Sequence, residues 1–284
     1  MSTDTARDWM GGWTAENPVK IATFSAPLAS AEWSRGTREY LRYRDLKLGA
    51  ASGGLMAAQH LKVVGAEAVQ SDWHRHDSDF QFFYVLRGEI TIEPEHGDEV
   101  TLTAHGVGYQ PRGWLHRERI SADYEAVEIT SPAVVSTVTG INGDVAHGDN
   151  NVAHYRNEAE SDWLVGAGPR SFLGYRDLDV DEPTKGRVHL HVLKLAEEPP
   201  AGGTGWHYHT MSQIFLPLEG SLEIGVEGDD QWISVGALDA FGVSSGPDAR
   251  HNVRTFSADY LLLEMCVPAI YETIVAPAPA GYED

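Results

Sequence analysis

Trp73 to Gly88 reads W-H-R-H-D-S-D-F-Q-F-F-Y-V-L-R-G, and Trp206 to Gly220 reads W-H-Y-H-T-M-S-Q-I-F-L-P-L-E-G. In both stretches a pair of histidines one residue apart precedes a glutamine, a short apolar run and a glycine seven positions after that glutamine. Working outward, the same order recurs. Tyr43-Arg44-Asp45-Leu46 returns as Tyr175-Arg176-Asp177-Leu178, and Ser121-Ala122-Asp123-Tyr124 returns as Ser257-Ala258-Asp259-Tyr260. These anchors are offset by 132 to 136 residues, so the chain contains a duplicated domain and not a solenoid of short repeats.

Within each copy the signal is strand. F-Q-F-F-Y-V-L and Q-I-F-L-P-L are short aromatic and branched runs ended by a glycine, while E-I-T-I-E-P and S-L-E-I-G-V alternate with period two. Pro217 inside the second run calls for an edge position or a bulge. Many short strands and few helical patterns predict an all-β fold of two barrel or sandwich modules. The expected organisation is an N-terminal arm over 1–40, a first module over 41–135, a connector over 136–171, a second module over 172–272 and a mobile proline-rich tail over 273–284.

A histidine pair of H-x-H form on a strand sets both imidazoles on one face, about 6–7 Å apart at Cα. Two such rings can share a divalent ion at about 2.1 Å from each nitrogen. A third histidine from a later strand would complete the set. His116 follows a proline-glycine turn that aims it back toward His74 and His76; His251 is the matching candidate for His207 and His209. His189 and His191 form another H-x-H, but the first copy has no equivalent, so they read as a barrel-lining or surface pair, as does His60.

Composition narrows the function. With 42% hydrophobic and 22% charged residues, the chain has the profile of an ordinary globular protein. Its 21 basic and 42 acidic residues give a net charge of −21, which repels nucleic-acid backbones and anionic membranes. No apolar run approaches the roughly 20 residues of a membrane-spanning helix. The opening M-S-T-D-T-A-R-D-W-M lacks the pattern of a secretory signal, and the single cysteine, Cys266, excludes an internal disulfide framework and reads as a buried structural thiol. A cytoplasmic location is expected.

His74-x-His76, Gln81 and Gly88, followed by Pro111-x-Gly113-x-x-His116, resemble the two motifs of the cupins, and the second copy resembles the first motif through His207, His209, Gln213 and Gly220. The chain thus resembles a bicupin over roughly 40–135 and 172–270. That resemblance implies two tandem cupin-type jelly-roll β-barrels with metal ligands His74, His76, Gln81 and His116 in the first and His207, His209, Gln213 and His251 in the second. In the second copy the proline-glycine spacing before His251 is lost. Association into a homodimer is a further expectation of the resemblance.

Glutamine stands in both copies where the family pattern has glutamate. A glutamine neither neutralises a metal's charge nor acts as a base. As a ligand it leaves a strongly positive site suited to a small molecule that is anionic when bound; alternatively it orients a ligand from behind. The similarity to cupin dioxygenases implies Fe(II)-assisted C–C cleavage of a small enolisable or phenolic substrate by dioxygen, with nickel, manganese, zinc or copper as other ions. Gln81, Tyr84 and Arg112 are the candidate catalytic residues, Arg112 as a partner for a substrate carboxylate. Phe80, Phe82, Tyr84, Tyr109 and Trp114 are candidates for a pocket lining, although alternation puts Gln81 and Phe83 on the face opposite Phe80, Phe82 and Tyr84. The alternatives are a non-oxidative isomerase, lyase or decarboxylase using the metal as Lewis acid, which would need a base that no motif position supplies, and a non-catalytic binder.

Overall fold

The computed structural model describes residues 20–36, 38–65, 67–142, 152–166 and 168–282. Much of the expected N-terminal arm and most of the connector stretch I-N-G-D-V-A-H-G-D-N-N lie outside these residues. The chain folds into two β-barrels, each made of a seven-stranded sheet facing a smaller one. In the first barrel, strands Phe80–Arg87 and Glu125–Ser131 lie at the centre of the large sheet, and His74–Asp77, His116–Ile120 and Glu89–Pro94 lie side by side in the six-stranded sheet. The second barrel repeats this with Ser212–Glu219 and Leu261–Val267 against His207–His209, His251–Phe256 and Ser221–Val226.

Alternation along the strands gives each large sheet two apolar faces, and these make three cores. Leu41, Leu61, Phe83 and Val85 fill the first barrel against Ile90, Ile92, Leu102 and Ile120. Leu173, Leu193, Phe215 and Leu262 fill the second against Leu222, Ile224 and Val235. The outer faces of the two large sheets then pack on each other, with Phe80, Phe82, Tyr84 and Ile129 meeting Leu190, Ile214, Leu216 and Met265. This corrects the expected pocket lining. Phe80, Phe82, Tyr84 and Tyr109 belong to the inter-barrel core because only the opposite face, carrying Gln81 and Phe83, looks into the barrel.

The barrels also exchange strands. Phe24–Ala26, which precedes the first barrel, pairs with Ala240–Val243 in the second, and His154–Arg156 pairs with Val107–Pro111 in the first. The repeated Tyr-Arg-Asp-Leu anchors serve this exchange. Arg44 is buried and donates to the carbonyls of Ala26 at 2.5 Å and Leu238 at 2.7 Å, so it clamps the crossing strand to the second barrel. Arg176, also buried, bonds Glu158 and lies over the Trp163 ring. Leu46 and Leu178 enter the shared core, and the Asp45 and Asp177 carboxylates accept from the backbone two residues on. The serine of each Ser-Ala-Asp-Tyr anchor accepts from the residue after Gly88 or Gly220; both glycines adopt positive φ, and a Cβ there would meet that serine oxygen at 2.4 or 2.1 Å.

Two expected boundaries shift. Ser136–Thr139, placed in the connector, pairs with His74–Asp77, and Thr273–Val275, placed in the mobile tail, pairs with His207–His209. These short branched stretches complete the smaller sheets. The tail is further held where Tyr282 packs on Trp206 and Trp232, ring centroids 4.8 and 5.3 Å apart, and donates to the Gln231 carbonyl at 2.8 Å. Pro217 sits in a central strand, accommodated by a register shift between Pro217 and Glu219. No helix among the described residues is long and apolar enough to cross a membrane.

If the inter-barrel core holds the barrels as one cooperative unit, truncating it must destabilise both. Leu190, 1% exposed at its centre, is the test. Leu190→Ala is expected to cost about 2–5 kcal/mol in guanidinium unfolding, with one transition retained. A variant in which one barrel unfolds while the other keeps its wild-type midpoint would overturn this.

Candidate metal centres

Each barrel gathers three histidines from two adjacent strands. His74 and His76 face one way on their strand by period two, and His116 opens the neighbouring strand directly opposite His74. The turn that delivers it is tied down by Gly113, whose N–H bonds the His76 carbonyl at 3.0 Å. In the second barrel His251 pairs with His207, and Gly246 N–H bonds the His209 carbonyl at 2.8 Å. The lost proline-glycine spacing is thereby explained. Two extra residues between glycine and histidine fold into the short 3-10 turn Pro247–Ala249, and the third imidazole arrives at the same place.

Ring centroids lie 4.3–5.5 Å apart in the first cluster and 4.4–5.3 Å in the second. In each cluster one nitrogen per ring lies within 4.8 Å of the others. The Nδ1 atoms are all engaged by oxygen: His74 with the Asp72 carbonyl at 2.8 Å, His76 with Thr137 at 3.0 Å and His116 with the Trp114 carbonyl at 2.9 Å. The second barrel copies this with the Gly205 carbonyl at 2.7 Å, Thr273 at 2.9 Å and the Ala249 carbonyl at 3.0 Å. A carbonyl can only accept, so those Nδ1 atoms carry the proton and leave Nε2 as a lone-pair donor. The threonines that orient His76 and His209 come from the two strands that close the smaller sheets.

Gln81 and Gln213 are oriented by the same logic. Gln81 Nε2 donates to Glu128 at 2.7 Å, and Gln213 Nε2 donates to Glu264 at 2.8 Å. The amide oxygens are thereby turned away from the carboxylates. In each barrel that oxygen and two imidazole Nε2 atoms (His76 and His116, His209 and His251) are buried without a hydrogen-bond partner. Three orphaned acceptors in one site would cost roughly 1–3 kcal/mol each if left unmet. Acceptors without a donor fit a cation. The histidine groups are therefore candidate sites for a divalent ion, with Gln81 and Gln213 as further oxygen donors.

Burial sets the protonation of the rings. It lowers His74 and His207 to about 4, His251 to about 3 and His209 to about 2, and takes His76 well below the usual imidazole range. Burial also raises the Glu128 carboxyl above its ordinary range, only partly offset by the Gln81 hydrogen bond and Arg38. For Glu118, burial acts in the same direction but is outweighed by Arg38, His116 and His74, which hold the carboxyl well below that range.

The clusters open into separate cavities. The first, about 360 Å³, contains His76, Gln81 and Glu128 among Gln59, Thr130 and Thr137. There Arg38 bonds Glu118 at 2.9 Å and lies 2.8 Å from His74 Nε2. The second, about 380 Å³, contains all three histidines, Gln213, Glu264 and Arg170. Glu264 also bonds His191, whose Nδ1 lies 2.8 Å from His189 Nε2, so His191 reaches the site's carboxylate and forms with Glu264 and Cys266 a further group that could hold a metal ion.

Two candidate catalytic residues fall elsewhere. Tyr84 points into the inter-barrel core, its hydroxyl 3.0 Å from His105 Nδ1, because its place in the alternation is opposite that of Gln81. Arg112 is committed to Asp77 at 2.6–2.7 Å at the rim; the cation in the cavity is Arg38. The expectation of a site without a carboxylate is corrected by Glu128 and Glu264, which lie one strand away from the motif. Both had a signal: a glutamate inside an apolar strand, in A-V-E-I and L-L-E-M, in each copy. Arg38 and Arg170 likewise stand five residues before the repeated tyrosines.

No family model matches the sequence, and no curated protein matches it. Solved structures match the fold. Oxalate decarboxylase from Bacillus subtilis at pH 4.6 aligns over 90% of this chain and 78% of its own, with a TM-score of 0.62 and 11% identity. The Lactobacillus farciminis oxalate decarboxylase formate complex aligns over 89% and 88%, with a TM-score of 0.63 and 11% identity. At such identity the likeness is one of fold, and the fold is that of two tandem cupin-type β-barrels. Each of its two barrels carries a candidate divalent-metal site.

Two measurements probe these sites. Between the lowered imidazole values and the free value of about 6.5, the unfolded chain binds protons that the folded chain refuses. Stability of chelator-treated protein is therefore expected to rise with pH through that window and to fall as pH drops from about 7 to about 4, read as a falling Tm. His251→Gln should flatten the slope; an unaltered slope would contradict the burial argument. Separately, Gln81→Glu replaces a donor by a second carboxylate against Glu128. It is expected to destabilise metal-free protein by about 1–3 kcal/mol, and added divalent metal should recover part of the loss. No loss in the metal-free variant would show that the Gln81–Glu128 bond does not hold the site.

Proposed function

We propose that this bicupin is a metal-dependent enzyme that cleaves a small organic anion by non-oxidative chemistry, decarboxylation being the form best supported. The observation that carries the reading is the carboxylate hydrogen-bonded to the motif glutamine in each barrel. Non-oxidative chemistry needs an acid or base beside the metal, and Glu128 and Glu264 supply one. The fold likeness to oxalate decarboxylases supports the same class.

His74, His76 and His116, with Gln81, would hold the ion in the first barrel; His207, His209 and His251, with Gln213, would hold it in the second. A bound divalent ion supplies Lewis acidity toward an anionic substrate oxygen. The chain's own residues do the rest. Arg170, which lines the second cavity, draws an anion toward the histidines there. Loss of carbon dioxide leaves an electron pair on carbon that must take up a proton. Glu128, held by Gln81, stands in the same cavity to deliver it.

Oxidative cleavage with Fe(II) is the second reading. It is favoured by the three-histidine arrangement, which would hold such an ion with few protein ligands. One assay separates the two. Metal content is measured by mass spectrometry, and carbon dioxide release and oxygen uptake are then followed together on a panel of oxalate, 2-oxo acids, β-diketones and hydroxyacetophenones. Carbon dioxide release without matching oxygen consumption is expected, with loss of activity in Glu128→Gln, Glu264→Gln or both. Oxygen consumed mole for mole with substrate would transfer the assignment to the dioxygenase. Folded protein that takes up no metal would overturn both.

A further inference from the structure

The two cavities share their histidines and glutamine but differ in how each treats its arginine. Arg38 and Arg170 occupy equivalent places, each with its carbonyl accepting from the backbone N–H of the leucine three residues on. In the first barrel Arg38 is neutralised by Glu118, which stands two residues after His116. Two residues after His251 stands Val253. Arg170 lines the second cavity half-buried, with no carboxylate partner among the described residues. Its charge reaches the histidines, since it is one of the influences that lower His207, His209 and His251. A guanidinium partly removed from water and unpaired is an anion site.

The second cavity also holds Glu264, Thr204, Thr273 and Tyr271, and much of its remaining lining is apolar. Leu193, Phe215, Val253, Phe256 and Leu262 form that apolar part, whereas the first cavity, beyond the glutamate and threonine common to both, has Ser34, Gln59 and Thr130. A volume of about 380 Å³ is well above the roughly 150 Å³ of an apolar cavity that accepts benzene. A two-carbon dianion would leave that apolar wall bare.

From this contrast we propose that the second barrel binds a monocarboxylate carrying an apolar, ring-sized body, with the carboxylate on Arg170 and the body against the Phe215–Leu262 wall. The proposal rests on the reading above in taking the histidine end of the cavity as the reacting end. It assigns a substrate class to this barrel alone.

The test is calorimetric binding of acetate, 3-phenylpropionate and 3-phenylpropionamide to the full chain, metal-loaded and chelator-treated, with metal stoichiometry measured on the same samples. We expect 3-phenylpropionate to bind at least about tenfold more tightly than acetate or the amide. Arg170→Gln should weaken the acid by about 10- to 100-fold and leave the amide unchanged, while Arg170→Lys recovers part of the loss. Val253→Glu, which copies the first barrel's neutralising carboxylate, should reproduce the Arg170→Gln result with metal stoichiometry intact. Equal binding of acid and amide to wild type, acetate as tight as 3-phenylpropionate, or an Arg170→Gln variant with unaltered acid binding would each overturn the proposal. The chelator-treated arm keeps the two readings apart. An Arg170-dependent preference in protein that never takes up metal would leave this proposal standing and remove the metalloenzyme one; two metals per chain without the preference would do the reverse.

Discussion

A primary amide beside a buried carboxylate can satisfy it only through nitrogen, and both sites depend on that constraint. Because Gln81 Nε2 and Gln213 Nε2 are bound to Glu128 and Glu264, each amide oxygen joins the imidazole lone pairs as an unpartnered acceptor. The polarity of the site follows from the pair and not from the glutamine alone. A glutamate at the motif position would face a second carboxylate, and the two could not both ionise. The carboxyl group of each site lies one strand away from the motif position, where it cannot serve as a ligand through that position but can take or give a proton.

The remainder of the fold keeps that pair and the histidines in register. Gln81 and Glu128 lie on neighbouring strands of the large sheet, whereas the histidines lie on the smaller sheet, so the site exists only if the two sheets close. Closure is enforced from outside by the shared core and the exchanged strands. Arg44 spends its guanidinium on two backbone carbonyls of the exchange, and Arg176 pairs with Glu158 beside the returning strand. Burying two arginines is tolerable only with such partners. Each barrel thus borrows an edge from the other, which gives the duplicated chain a structural reason to remain paired.

Much of this could be read in the sequence, for definite reasons. Repeated anchors and period-two runs declare two β-modules, and the H-x-H pairs with His116 and His251 declare the clusters, since ligand sets are local in sequence or follow a recognisable turn. Pairing across strands is what stayed hidden. Nothing adjacent to Gln81 announces Glu128, 47 residues later, although its repetition as Glu264 was a usable sign. Tyr84 is the complementary case: alternation sets it opposite Gln81, so nearness in the chain does not bring it into the site. Thr273–Val275 was hidden because a three-residue strand beside an A-P-A-P-A stretch has little periodicity to show, and its pairing with His207–His209 supplies the order.

The copies diverge most where a buried carboxylate must be accommodated, and they solve it differently. Opposite Glu128 in the first barrel stands Gln59, and the carboxyl is pushed toward its neutral form by burial. Opposite Glu264 in the second stands His191, which bonds it and leads through His189 toward Asp177, whose carboxylate lies 3.9 Å from His189 Nδ1. An imidazole can share a proton with the carboxylate, and a glutamine cannot. The first barrel therefore holds Glu128 as an isolated acid, beside an arginine already balanced by Glu118. The second holds Glu264 within a chain of titratable groups, beside an unbalanced arginine and an apolar wall. The histidine and glutamine clusters recur in both copies, whereas the residues that decide charge around them differ, so the two barrels set similar candidate metal sites in different surroundings.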